Sequence, residues 1–196
     1  MTDPLIVAIP THDLRAVVPT LLELGLVSEQ LNRPLHFAIG EASNIPRSRN
    51  VVLQQLRDAY PQTSNPWVLW LDSDIVLFPG YTDAIVAGIQ WAEAHDCGIV
   101  ANYRMANGEN VLIANKEGPE GPPYRHYTAD ELDTLPNYAE VGLAGLGFAY
   151  FRQPLEYVFH ADNVGEDIHL WWDHPELTLC WAKQIRVGHK KLVLLR

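Results

Sequence analysis

Short apolar runs alternate along this chain with longer amphipathic stretches, and that alternation predicts strands connected by helices. Leu5 to Ile9 is an apolar run closed by Pro10 and reads as a first strand. Thr11, His12 and Asp13 then offer capping side chains to a helix whose apolar positions Leu14, Val17, Val18, Leu21 and Leu22 recur at helical spacing, with Pro19 inside it and Gly25 as its stop. Leu35 to Ile39 reads as a second strand, Gly40 to Pro46 as a polar loop, and Arg47 to Tyr60 as a helix that buries Val51, Val52 and Leu56. Trp67 to Leu71 is a third strand. A turn at Phe78-Pro79-Gly80 leads into a helix from Tyr81 to Ala94, lined by Ile85, Ile89 and Ala92, and Gly98 to Asn102 follows as another strand.

Beyond that point the pattern changes. Asn107-Gly108 signals a hairpin between runs around Tyr103 and Val111 to Ala114. Glu117 to Pro123, rich in proline and glycine, reads as a loop. Val141 to Phe151 reads as one strand carrying Gly142, Gly145 and Gly147. Gly165-Glu166-Asp167 opens a short helix that Pro175 limits, and Leu177 to Trp181 and Ile185 to Val187 are final strands. The order predicts one α/β domain over residues 1–196, with a mixed, mainly parallel sheet flanked by helices and a small secondary hairpin or sheet.

Candidate chemistry concentrates where the third strand ends, at Asp72-Ser73-Asp74. Open α/β sheets bind their ligands at the carboxyl ends of strands. The strand period of two would turn Asp72 and Asp74 to one face, with Cα atoms roughly 7 Å apart, and Ser73 to the other. Two adjacent carboxylates favour a cation, and an oxygen-only pair favours Mg²⁺ or Mn²⁺ over Zn²⁺.

Composition narrows the classes. The 196 residues are 47% hydrophobic and 19% charged, an ordinary globular balance. A formal charge of −10 argues against nucleic acid or an anionic membrane as partner. It also means that an anionic nucleotide would need a bound cation to invert the local field. No apolar run reaches the length of a membrane span, and the acidic N-terminus lacks the basic start of a signal peptide, so a cytoplasmic protein is expected. The two cysteines, Cys97 and Cys180, have no metal-binding spacing and read as small buried apolar residues in a reducing compartment.

The ordered set Ile9-Pro10-Thr11, Pro46-Arg47-Ser48-Arg49-Asn50, Leu71-Asp72-Ser73-Asp74, Gly145-Leu146-Gly147-Phe148, Gly165-Glu166-Asp167-Ile168 and Val187-Gly188-His189 resembles the GT-A fold glycosyltransferases. The likeness is to a compact, minimal type related to family 2-like inverting enzymes. It implies a GT-A, Rossmann-like fold, with residues 1–102 as the nucleotide-sugar-binding half and 103–196 as the acceptor-side half. It implies a nucleoside diphosphate sugar donor of UDP or GDP type and a sugar or glycan acceptor. Pro10, Thr11, Glu41 and Ser43 would flank base and ribose, with Arg49 near the diphosphate or bracing Asp72. Asp72, Ser73 and Asp74 would form the metal and diphosphate site, completed by His189. Asp167 would be the general base toward an acceptor hydroxyl, and Glu166 would hold that acceptor. The sequence departs from the resemblance at Asp173-His174-Pro175, which cuts short a helix that usually runs for several turns.

Two other readings compete. Leu71-Asp72-Ser73-Asp74-Ile75-Val76 also fits the nucleophile strand of haloacid-dehalogenase-like phosphatases, with Asp72 as nucleophile and Lys116 and Asp167 supplying later motifs; two βα units precede it here, where that strand normally opens the domain. The other reading is a nucleotide- or carbohydrate-binding module without turnover. Trp171 and Trp172 offer a sugar-stacking surface, one of them expected in the core.

Overall fold

A computed structural model describes residues 3–11, 18–63, 65–104, 113–114, 127, 129–160 and 166–189, and of residues 18–19, 102–104, 113–114, 129, 166 and 189 the backbone alone. The chain runs β1 (Leu5–Thr11), α1 (Val18–Leu31), β2 (Leu35–Glu41), α2 (Ile45–Ala59), β3 (Trp67–Leu71), β4 (Ile75–Leu77), α3 (Thr82–His95) and β5 (Gly98–Arg104). It continues with β6 (Ile113–Ala114), α4 (Ala129–Thr134), β7 (Ala139–Val141), β8 (Leu143–Ala144), β9 (Phe148–Arg152), α5 (Glu166–Asp173) and β10 (Leu179–His189). Among the described residues, eight strands form one mixed sheet in the order β2-β1-β3-β9-β5-β10-β4, with β7 also on β10. Strands β1, β2, β3, β5 and β10 run one way, while β9, β4 and β7 run against them. The architecture is the expected mixed α/β, Rossmann-like one. A separate two-stranded sheet pairs β6 with β8.

Burial on both faces explains the near-continuous apolar strands. Every residue of β1 is buried. Ile6 and Ala8 of β1, with Val68 and Trp70 of β3, face one core, shared with Val52, Leu53 and Leu56 of α2 and Leu170 and Trp171 of α5. The alternate residues Leu5, Val7, Ile9, Leu69 and Leu71 face a second core with Leu24 and Val27 of α1 and Ile85 and Ile89 of α3. The helix α2 begins where Asn44 accepts a hydrogen bond from the Arg47 amide at 3.0 Å, with Pro46 in the first turn.

Several sequence expectations are corrected by these long-range contacts. The first helix passes Gly25 and ends at Leu31; its expected start, from Leu14 to Val17, lies outside the described residues. In α2 the buried positions are Ser48, Arg49, Val52, Leu53 and Leu56, so Val51 turns outward. Val141 to Phe151 is not one strand but the end of β7, then β8, a loop at 145–147 and β9. The two final strands are one, β10, whose pairing with β5 shifts register between Ala182 and Arg186. The Asn107-Gly108 turn and the loop from Glu117 to Pro123 lie outside the described residues.

The outer edge of β2 is closed by a side chain. Gln55 accepts from the Ile39 amide at 3.1 Å and donates to the Ile39 carbonyl at 2.8 Å, occupying backbone groups that would otherwise template another strand. The helix carrying Gln55 lies so close to β2 that a Cβ on Gly40 would sit 2.1 Å from the Ser48 carbonyl oxygen and 2.8 Å from Val52 Cγ2. Substituting Gly40→Ala should therefore push α2 off the sheet and cost roughly 1–3 kcal/mol by overpacking. Urea denaturation should show a lower midpoint at unchanged slope; an unchanged midpoint would mean that helix and strand separate without cost.

Candidate active site

Because β1, β2 and β3 are parallel, their carboxyl ends share one edge of the sheet. Thr11 closes β1 opposite Glu41, which closes β2, and Asp72 follows β3 directly. The β10 backbone reaches the same edge, where His189 pairs with Ile75, the residue after Asp74. The topology thus gathers Thr11, Glu41, Asp72, Asp74 and the His189 backbone at the edge where such sheets place ligands.

The acidic triplet is a turn rather than a strand. β3 stops at Leu71, and the Ile75 amide donates to the Asp72 carbonyl at 3.0 Å, which closes a four-residue turn over Asp72, Ser73, Asp74 and Ile75. Strand alternation therefore does not orient the two carboxylates; the turn does. All three residues of the triplet are half-buried.

Asp72 is held from beneath by Arg49. The Arg49 side chain is 2% exposed and donates from Nη2 to Asp72 Oδ1 at 3.0 Å, while Asp72 itself is 25% exposed. The guanidinium carbon lies 5.3 Å from the Trp70 ring centroid and 5.7 Å from that of Phe159. Aromatic faces stabilise a cation withdrawn from water, and the carboxylate supplies its counter-charge.

The cradle of Arg49 is itself tied down. Asn50 donates to the Phe159 carbonyl and accepts from its amide, both at 2.8 Å. Arg57, two turns along α2, donates to the carbonyls of Leu155 at 2.5 Å and Tyr157 at 2.9 Å. Trp70 donates to the fully buried Gln153 at 2.9 Å. Each residue of the Ser48-Arg49-Asn50 run thus has a separate partner, since Ser48 donates toward the Thr11 carbonyl at 3.1 Å and the Asn44 carbonyl at 3.0 Å.

Asp167 joins this assembly through the loop between β8 and β9. The Leu146 amide donates to Asp167 Oδ2 at 3.4 Å, and the carbonyl of the next residue, Gly147, accepts from the Asp72 amide at 3.0 Å. One tight loop therefore contacts both aspartates. Pro10 and Thr11 are buried, with Thr11 only 1% exposed, whereas Glu41 and Ser43 are exposed. Arg47, also exposed, donates to Ser43 at 3.4 Å. Of the tryptophan pair, Trp171 is core and donates to the Ala144 carbonyl at 2.7 Å, while Trp172 is 38% exposed with the His169 ring edge-on to it.

Sequence reasoning did not find Phe159, Gln153 or the backbone groups of Leu146 and Gly147. Phe159 and Gln153 stand in no motif. The glycines flanking Leu146 did signal a close approach, but not that the approaching group was a carboxylate.

No protein-family model matches the chain, and no curated protein matches it. Among solved structures it is similar to A197 from STIV, with a TM-score of 0.58 and 14% identity over 96% of this chain and 86% of that one. It also matches a glycosyltransferase involved in the glycosylation of the major capsid of PBCV-1, with a TM-score of 0.38 and 16% identity over 76% of this chain and 61% of that one. A nucleoside-diphosphate-sugar pyrophosphorylase from Vibrio cholerae RC9 matches with a TM-score of 0.42 and 10% identity over 95% and 74%. The likeness to A197 is one of fold. Among the described residues no helix is long and apolar enough to cross a membrane.

The ion pair makes a stability prediction. Asp72→Ala takes the Asp72 carboxylate away from a buried guanidinium and should cost roughly 2–4 kcal/mol, a Tm lowered by roughly 5–12 °C. The double variant Arg49→Met with Asp72→Asn should recover much of that loss, because it removes the buried charge. Thermal melts of the wild type, Asp72→Ala, Arg49→Met, Asp72→Asn and the double variant check this; a double variant as unstable as the sum of its two singles would show that the pair is not coupled.

Proposed function

We propose that this chain is a metal-dependent glycosyltransferase that moves a sugar from a nucleoside diphosphate sugar to an acceptor hydroxyl with inversion. The observation that carries the reading is the shared loop at 145–147, which contacts Asp72 and Asp167 through adjacent residues at the ligand-binding edge of the sheet. A donor site and a base must lie within one substrate of each other, and this loop couples them.

The donor set suits a hard divalent cation. Asp72 and Asp74 are carboxylates at the strand end, Arg49 donates to Asp72 Oδ1, and the His189 backbone lies across from the residue following Asp74. Among the described residues no group of three or more histidine, cysteine, aspartate or glutamate side chains forms a ready metal cage. The two carboxylates with His189 would hold Mn²⁺ or Mg²⁺, which when bound supplies positive charge against the departing nucleoside diphosphate. The exposed Glu41 and Ser43 would flank base and ribose, backed by the buried strand end Pro10-Thr11. Arg49 acts beneath the site by fixing the Asp72 carboxylate rather than by meeting phosphate. Asp167, oriented by the Leu146 amide, takes the proton of the acceptor hydroxyl as it attacks the anomeric carbon. Glu166 beside it holds the acceptor.

Calorimetric titration with UDP, GDP, dTDP and CMP, each with Mn²⁺ and then with EDTA, tests the donor site. Binding of one nucleoside diphosphate should require the metal and vanish in Asp74→Ala. No binding to any of them, together with phosphate-ester hydrolysis that needs Asp72 and Mg²⁺, would replace the transferase with the phosphatase. Once a donor is known, Asp167→Asn should lower turnover by roughly 10²–10⁴-fold and leave donor affinity within a few-fold. Equal losses in both would instead make Asp167 a binding residue.

A further inference from the structure

The geometry points to an intramolecular disulfide between Cys97 and Cys180. Cys97 lies between the end of α3 and the start of β5, and Cys180 is the second residue of β10. These strand starts are parallel neighbours, with Leu179 opposite Gly98 and Cys180 opposite Ile99. The Gly98 amide donates to the Thr178 carbonyl at 2.8 Å, which fixes the two backbones side by side. The Cys97 and Cys180 Sγ atoms are 2.9 Å apart, and both residues are 5% exposed. A small side-chain rotation brings the sulfurs to bonding distance, about 2.05 Å. Two cysteines 83 positions apart thus meet inside the protein with sulfur facing sulfur.

The bond forms by thiol–disulfide exchange with a low-molecular-weight disulfide such as oxidised glutathione. One cysteine thiolate attacks that disulfide and releases a first glutathione thiol; the second cysteine thiolate then attacks the mixed disulfide and releases another. Two electrons pass from the protein sulfurs to the small disulfide, and the two protons leave with the released thiols. Exchange occurs while the folding chain still exposes both thiols. Burial afterwards shields the bond from reductant. Such bonds persist in oxidising compartments and in intracellular proteins of hyperthermophiles. The pair lies at the amino ends of β5 and β10, the edge opposite Asp72, so its removal acts on stability and not on the candidate site.

The test is peptide mapping of the full chain refolded with oxidised glutathione, denatured without reductant, alkylated and digested. A cross-linked pair of peptides containing Cys97 and Cys180, lost on reduction, is expected. Reductant should also lower the Tm of the oxidised protein by roughly 5–15 °C, as the closed loop is long, and leave the Tm of Cys180→Ala unchanged. Recovery of both cysteines alkylated, or of each carrying a glutathione, would overturn the assignment. The mapping uses the unaltered chain, so its result stands even if Cys180→Ala fails to fold.

Discussion

A guanidinium withdrawn from water must be given a counter-charge, and much of this structure is arranged to meet that demand. Arg49 sits against both Trp70 and Phe159, whose rings meet edge-on, with Asp72 as a counter-charge. Phe159 stays in place because Asn50 and Arg57 grip the backbone of its segment, and Trp70 because Gln153 accepts its indole N–H. The Asp72 amide in turn reads the Gly147 carbonyl, whose neighbour Leu146 donates to Asp167. The Asp72 side chain thus meets the buried cation while its main-chain amide meets the loop before β9, which in turn meets the start of α5. A neutral residue at position 49 would leave Asp72 free to reorient, and the geometry that links the two aspartates would lose its floor.

The opening βαβαβ order was legible because its strands are buried on both faces and its helices carry clear periodicity. What escaped the sequence depends on pairing across long separations. Val141 to Phe151 has one compositional character, yet Phe148 to Arg152 is drawn out of it to pair with β3 and β5, and Ala139 to Val141 is drawn to β10. Val51 looks as apolar as Val52, but only the angle at which α2 meets Gly40 decides which of them is covered.

The candidate site was legible in part for a similar reason. The acids stand at a strand end, and the end is visible in the run from Trp67 to Leu71. Their orientation was not visible, because the Asp72 carbonyl closes a turn on the Ile75 amide one residue after the strand stops. Arg49 could be linked to Asp72 only through the resemblance, and nothing in the sequence named Phe159 as the other wall of its pocket. The cysteine pair was hidden by its 83-residue separation, which no local spacing rule spans.

The position of β9 has a consequence for the order of events during synthesis. It lies between β3 and β5, although it leaves the ribosome after both. Until residue 152 has emerged, β3 and β5 have no strand to join them, and Val68, Trp70, Ile99 and Val100 lack their partners on β9. Loop closure over such distances is slow compared with forming α2 against β1 and β2. The antiparallel β9 joins β5 to the layer of β2, β1 and β3, and β10, the last described strand made, then brings β4 and β7 into the sheet.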